Sequence, residues 1–155
     1  MIKDLLWLLR HPIKAFSHEK YGELLRFALG GVLTTAVNFA IYLPSYRYLF
    51  RPSLSSEFSA ILANSLAWVL AVLFAFFVNK HLVFRSETRT RAGFFYQLLS
   101  FYATRAASGA FEVFLPSLLI YIGLHDVVAK LTVAVLVLVC NYLTSKFIAF
   151  RKTKE

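Results

Sequence analysis

Residues Phe94–Gly123 read FFYQLLSFYATRAASGAFEVFLPSLLIYIG, a nearly unbroken apolar run that contains two charges, Arg105 and Glu112. About 20 helical residues cross a hydrocarbon core of about 30 Å, so this stretch has the dimensions of a membrane span. Lipid tails solvate neither charge, and each costs roughly 2.5–3.5 kcal/mol at the centre of an inserted helix. Seven positions apart, Arg105 and Glu112 fall about two turns apart on one helical face. That face is expected to look at a polar pathway, at each other or at a partner helix.

Three further apolar blocks accompany it, so the spans are placed at Leu24–Leu43, Phe58–Val78, Phe94–Tyr121 and Val127–Ala149. Of the 155 residues 59% are hydrophobic, against about 45–50% for a soluble domain. The four blocks leave no room for a separate soluble catalytic domain. The expected fold is an all-α membrane protein, with four transmembrane helices as two hairpins in residues 21–155 and a short amphipathic helix in residues 1–20. Strand-like alternation of apolar and polar residues is missing, which disfavours a β-barrel. The first block starts too late and runs too long for the h-region of a cleavable signal peptide. Cys140, the only cysteine, excludes an internal disulfide and a cysteine-based metal site. The four histidines show no ligand spacing, and no cofactor is expected.

The net charge of +9 raises the question of nucleic acid, and its distribution answers it. Lys3, Arg10, Lys14, Lys20 and Arg26 precede the first span. Lys80, Arg85, Arg89 and Arg91 lie between the second and third, and Lys146, Arg151, Lys152 and Lys154 end the chain. The opposite side has only Arg47, Arg51 and Lys130. The positive-inside rule then places both termini and the middle loop in the cytoplasm. Such a basic ring attracts anionic head groups, worth roughly 1 kcal/mol per Lys or Arg near the surface. The segment Met1–His11, with Leu5, Leu6, Trp7, Leu8 and Leu9 against Lys3, Asp4 and Arg10, is expected to lie in the cytoplasmic interface.

The chain repeats itself. Lys80-His81-Leu82-Val83-Phe84-Arg85 follows the second span and Lys146-Phe147-Ile148-Ala149-Phe150-Arg151 the fourth, both fitting K-x-x-x-F-R. Leu24-Leu25-Arg26-Phe27 matches Leu98-Leu99-Ser100-Phe101 loosely, and at that offset Asn38 falls opposite Glu112. An even number of helices per half implies a parallel repeat. At about 1.5 Å per residue, Asn38, Asn64 and Glu112 fall at one depth, with Arg105 roughly 10 Å nearer the cytoplasm. Lys80, Arg85, Lys146 and Arg151 lie below it.

These residues resemble the GtrA-like family of small four-helix membrane proteins. Arg26-Phe27 followed by Gly30-Gly31, Thr34 and Asn38 looks like its opening motif. Phe77-Val78-Asn79-Lys80-His81-Leu82-Val83-Phe84 looks like its second-span ending, and Asn141 through Lys146 to Phe150-Arg151 like its terminal copy. The resemblance covers nearly all the chain from Arg26 onward. One departure is that Leu82 and Ile148 stand where the family often has an aromatic residue.

What the resemblance implies is translocation of a polyprenyl-phosphate-linked monosaccharide across the plasma membrane for cell-surface polysaccharide glycosylation, with a membrane glycosyltransferase as partner. Lys80, Arg85, Lys146 and Arg151 are then expected to collect the phosphate, since Arg gives bidentate contacts and Lys a point charge. Arg105 would hold it partway, and Asn38, Asn64 and Glu112 would bind sugar hydroxyls, with Asn79 and Asn141 at the motif ends. Plainer readings stand beside these. Arg105 and Glu112 can bridge helices, Asn38 and Asn64 can glue them, Asn79 can cap an end, and Lys80 and Lys146 can snorkel. A proton-coupled exporter and a non-transporting glycosyltransferase adaptor are the competing functions. An enzyme is disfavoured, because no nucleophile–base pair or phosphate-cradling loop occurs. Four helices enclose little space for a sugar, so a homo-oligomer is expected.

Overall fold

The computed structural model describes residues 22–88 and 90–151, and their regular structure is entirely helical. The amphipathic helix expected in residues 1–20, and Arg89, Lys152 and Lys154, lie outside the described residues. Helix α1 is Gly22–Pro44, α2 Ser56–Val78, α3 Arg91–Tyr121 and α4 Asp126–Thr144. Three π-helical turns continue them: π1 (Ser45–Phe50) after α1, π2 (Asn79–Val83) after α2 and π3 (Ser145–Ala149) after α4. The chain divides after Arg85 into two compact units, the hairpins α1–α2 and α3–α4.

Polar residues at the right places start the helices. Ser55 Oγ accepts the Phe58 N–H at 3.4 Å ahead of α2, and Thr90 Oγ1 accepts the Gly93 N–H at 3.1 Å ahead of α3. Each cap satisfies a donor that a helix end leaves open. The α3–α4 turn closes through Gly123 at φ +101°, a conformation glycine adopts without steric cost.

With their π turns, Gly22–Phe50 (29 residues), Ser56–Val83 (28) and Asp126–Ala149 (24) are long and apolar enough to cross a membrane. Helix α3, at 31 residues, is longer still but the least apolar of the four, because Arg105, Glu112 and several hydroxyls interrupt it. Helix α1 ends at Pro44, and π1 carries the helical path on to Phe50. Proline lacks an N–H and crowds the preceding turn, and the wider turn absorbs the break, with the Arg51 N–H on the Tyr46 carbonyl at 3.0 Å. Tyr42 and Tyr46 stack there, ring centroids 5.9 Å apart.

In the first hairpin α2 buries Ser59, Ala63, Ala67, Ala71 and Ala75, every fourth residue. Lipid gives helices no hydrophobic reason to associate, so small side chains that permit close packing take that role. From α1, Phe27 and Gly30 are buried. A Cβ at Gly30 would sit 3.1 Å from Val78 Cγ1, whereas one at Gly31 would meet nothing within 4 Å. Hydroxyls bond back to their own helix, as Thr34 Oγ1 does to the Gly30 carbonyl at 2.7 Å and Ser59 Oγ to that of Ser55 at 2.7 Å, which hides them from the bilayer.

The second hairpin buries Ala129, Val133 and Asn141 from α4 and Gln97 and Phe101 from α3. Gln97 Nε2 donates to Ser86 Oγ at 3.0 Å, both residues buried, tying the start of this unit to α3.

Candidate functional site

The K-x-x-x-F-R repeats carry the same local structure in both hairpins. π2 and π3 each begin one residue before the lysine. Each closes through its phenylalanine: the Phe84 N–H on the Asn79 carbonyl at 2.9 Å, the Phe150 N–H on the Ser145 carbonyl at 2.8 Å. A π turn accommodates one more residue than an α turn and is found disproportionately at functional sites. Side chains bond back to carbonyls just ahead of both turns. Asn79 Nδ2 donates to the Ala75 carbonyl at 2.7 Å, and Thr144 Oγ1 donates to the Cys140 carbonyl at 2.8 Å.

The two phenylalanines then lock onto the N-terminal half of the facing helix. Phe84 meets Phe27 with ring centroids 6.2 Å apart and planes at 54°. Phe150 meets Phe101 at 5.6 Å and 51°. These tilted pairs lie within the range where aromatic rings attract. The loose match of Phe27 to Phe101 in the sequence is therefore a matched contact in space.

Around these locks the hairpins differ. In the second, the Arg105 guanidinium lies over the Phe101 ring, 5.1 Å from its centroid, a cation–π contact one turn along α3. Lys146 Nζ donates to Tyr142 Oη at 3.1 Å and lies 5.4 Å from the centroid of the same ring. In the first hairpin, Gly31 stands at the position matching Arg105 and Phe76 at the one matching Tyr142. Lys80 is only 5% exposed and Asn79 only 1%. The Asn79 Oδ1 atom is buried without a hydrogen-bond partner among the described residues.

The remaining candidates are not drawn into one cluster. Arg105 and Glu112 form no ion pair: Glu112 is exposed, with no polar partner among the described residues. Asn38 is half-buried and Asn64 exposed, and no hydrogen bond joins them. Asn141 is buried, with its carbonyl accepting the Ser145 N–H. Arg85 and Arg151 are exposed at the ends of the two motifs, and Arg85 adopts φ +48°, a left-handed conformation uncommon outside glycine. His125 and Asp126 approach at 2.9 Å at the exposed α3–α4 turn. No group of three or more potential metal ligands occurs among the described residues. Sequence reasoning missed Tyr142 as a partner of Lys146 and Phe101 as a platform for Arg105. Both follow i, i+4 spacing, a signal that was available.

Together these features define a small polytopic membrane protein, helical throughout its described regular structure, with a π turn and a phenylalanine lock at the end of each hairpin. The chain belongs to the GtrA/DPMS transmembrane domain family, whose profile matches residues 26–150. It is 32% identical over 149 residues to the cell wall teichoic acid glycosylation protein GtcA of Listeria monocytogenes serovar 1/2a, covering 96% of each chain. The Listeria innocua GtcA is 33% identical over 133 residues, 85% of this chain and 87% of the relative. The membrane protein YwcD of Bacillus subtilis is 30% identical over 130 residues, 83% of this chain and 97% of the relative. The family is one of small membrane proteins associated with glycosylation rather than of catalytic enzymes.

Proposed function

We propose that this protein moves a polyprenyl-phosphate-linked monosaccharide across the plasma membrane for glycosylation of a cell-wall polymer of the teichoic acid kind. The observation that carries the proposal is its end-to-end similarity to GtcA, named for cell wall teichoic acid glycosylation, in a chain whose apolar helices carry Arg105, Glu112, Asn38 and Asn64. The greasy tail of such a substrate remains in the bilayer while its phosphate and sugar cross. Lys80, Arg85, Lys146 and Arg151 supply cations for the phosphate, and Arg105 supplies one further along α3. Asn38, Asn64 and Glu112 offer hydrogen-bonding groups for sugar hydroxyls, and Asn79 and Asn141 complete the polar ends of the motifs. In this reading all four helices span the membrane, both termini face the cytoplasm, a membrane glycosyltransferase uses the delivered sugar, and the protein works as a homo-oligomer.

The test is a liposome assay with purified protein and a polyprenyl-phosphate sugar, following exposure of the sugar in the outer leaflet with an external probe. Exposure well above that in empty liposomes supports translocation. Exposure no faster than in empty liposomes, across several polyprenyl-linked sugars, sinks it and favours a non-transporting adaptor.

A further inference from the structure

The two K-x-x-x-F-R ends share a π turn and a phenylalanine lock, yet they differ in how well the turn is satisfied. Arg85 adopts φ +48°, and among the described residues it is the only non-glycine residue at positive φ. Asn79 is 1% exposed, and its Oδ1 atom is buried without a hydrogen-bond partner among the described residues. No side-chain atom of residues 145–151 is left in that state among the described residues. The first lock is also the looser one. Phe84 is half-buried with its ring centroid 6.2 Å from that of Phe27, whereas Phe150 is buried and 5.6 Å from Phe101. All of this falls on the stretch from Asn79 to Arg85.

The lysine of this stretch is hidden. Lys80 is 5% exposed, while Lys146 is half-buried with its ammonium on the Tyr142 hydroxyl. Phe76 stands four residues before Lys80, where Tyr142 precedes Lys146, and a phenyl ring offers an ammonium no oxygen. A phosphate oxygen must come within about 2.7–2.9 Å of an ammonium to bond it, and Lys80 buried to this degree is out of such reach. Left-handed backbone disfavours a residue with a Cβ, and a buried acceptor without a donor is unfavourable. Strain of this kind persists only where surrounding contacts hold it, and it gathers at switch regions and binding sites.

We infer that π2 is a latch, closed here over Lys80, that opens by parting Phe84 from Phe27, while π3 holds Lys146 in place throughout. Opening returns Arg85 to negative φ, lets water reach Asn79 Oδ1 and brings the Lys80 ammonium to the surface. The carrier phosphate engages Lys80 only in the open form, so its binding draws the latch open. This rests on the transport reading for the identity of the ligand and adds the motion that a use of Lys80 requires.

The experiment reads lysine accessibility on the full-length protein in phosphatidylcholine nanodiscs. A short pulse of a water-soluble acetylating ester is applied, and each lysine is quantified by peptide mass spectrometry. Lys80 is expected to react about tenfold more slowly than Lys146. Arg85→Gly takes positive φ freely, so it favours the closed form and should slow Lys80 about fivefold. Arg85→Ala removes the same charge but keeps the strain, and should leave the rate within about twofold. Phe84→Leu loosens the lock and should speed it about fivefold. Lys146 should react alike in all of them. Hydrogen–deuterium exchange then follows residues 79–85 and 145–151 as a polyprenyl monophosphate is added, with native mass spectrometry recording whether it binds. The carrier should speed exchange in the first segment and leave the second unchanged.

Equal reaction of Lys80 and Lys146 in the unmutated protein would overturn the latch. So would slowing by Arg85→Ala as large as that by Arg85→Gly, which would assign the effect to charge. If Phe84→Leu does not fold, the two Arg85 variants decide by themselves. Bound carrier that leaves residues 79–85 unchanged would also overturn the latch, and the liposome assay then judges transport separately. Variants that follow the expected order, with no carrier bound, would keep the moving turn and discard the polyprenyl ligand, which counts against the transport reading instead.

Discussion

The phenol oxygen of Tyr142 accepts a hydrogen bond from Lys146 Nζ at 3.1 Å, and the same ring lies 5.4 Å from that ammonium. The ammonium therefore sits beyond the phenol oxygen, at the end of the ring, and the tyrosine holds the lysine through its hydroxyl. A hydrogen bond to a charged group is worth about 1.5–3 kcal/mol, and it restrains a side chain that otherwise has four rotatable bonds.

Tyr142→Phe keeps the ring and removes the hydrogen bond. It is expected to weaken polyprenyl phosphate binding about fivefold. Combined with Lys146→Gln it should add little, because the phenol acts through the lysine. A double-mutant cycle on nanodisc binding checks this, and additive losses would mean that Tyr142 acts independently of Lys146.

The buried Phe101 ring, 0% exposed, joins Phe150 to Arg105. Phe101→Ala is expected to destabilise the second hairpin by about 3 kcal/mol, the lower end for a buried phenylalanine, because lipid already solvates apolar surface. Phe95→Ala, at an exposed position on the same helix, should cost under about 1 kcal/mol. Denaturant unfolding in detergent micelles compares the two.

Adjacent glycines of α1 make opposite predictions. A side chain at Gly30 runs toward Val78, while Gly31 has open space. Gly30→Leu should lower the thermal midpoint by several degrees, consistent with about 1–3 kcal/mol of overpacking. Gly31→Ala should leave it unchanged or raise it, since alanine gains about 0.5–1 kcal/mol over glycine within a helix. Equal effects at the two positions would contradict the α1–α2 contact.

Arg85 adopts φ +48° immediately after the first lock. Left-handed backbone costs a non-glycine residue roughly 1–2 kcal/mol. Arg85→Gly is therefore expected to stabilise the protein by about 1 kcal/mol while slowing sugar exposure in the liposome assay. A gain in stability with unchanged transport would assign Arg85 to topology alone.

Glu112 is exposed without a partner among the described residues. Glu112→Gln should alter stability by less than about 0.5 kcal/mol. A loss of transport in this variant at unchanged stability would place the carboxylate on the substrate path. Parallel measurements of unfolding and of liposome exposure separate the two effects.

Much of the fold was legible because span length and apolar composition are local properties. The four blocks expected from the sequence correspond to α1–α4, and K-x-x-x-F-R marked both π turns without indicating that they were π turns. Pro44 ends α1, but whether the helical path goes on depends on whether the following turn can widen, and here it does. The Arg105–Glu112 spacing suggested a shared role, and helical geometry does put them on one face. Yet Arg105 turns back toward Phe101, along the direction helical side chains lean, and Glu112 is left alone.

By itself the sequence determined the membrane-length helices, their division into two similar halves, and the basic ends of those halves. These follow from hydropathy, spacing and charge, which need no tertiary contact. Only the tertiary structure decided that Phe150 meets Phe101 and Phe84 meets Phe27, so that the ring under Arg105 is also the ring of the second lock. Residues 49 and 57 positions apart in sequence become neighbours only when two antiparallel helices pack. The register of that packing is set by buried side-chain shapes along both helices at once.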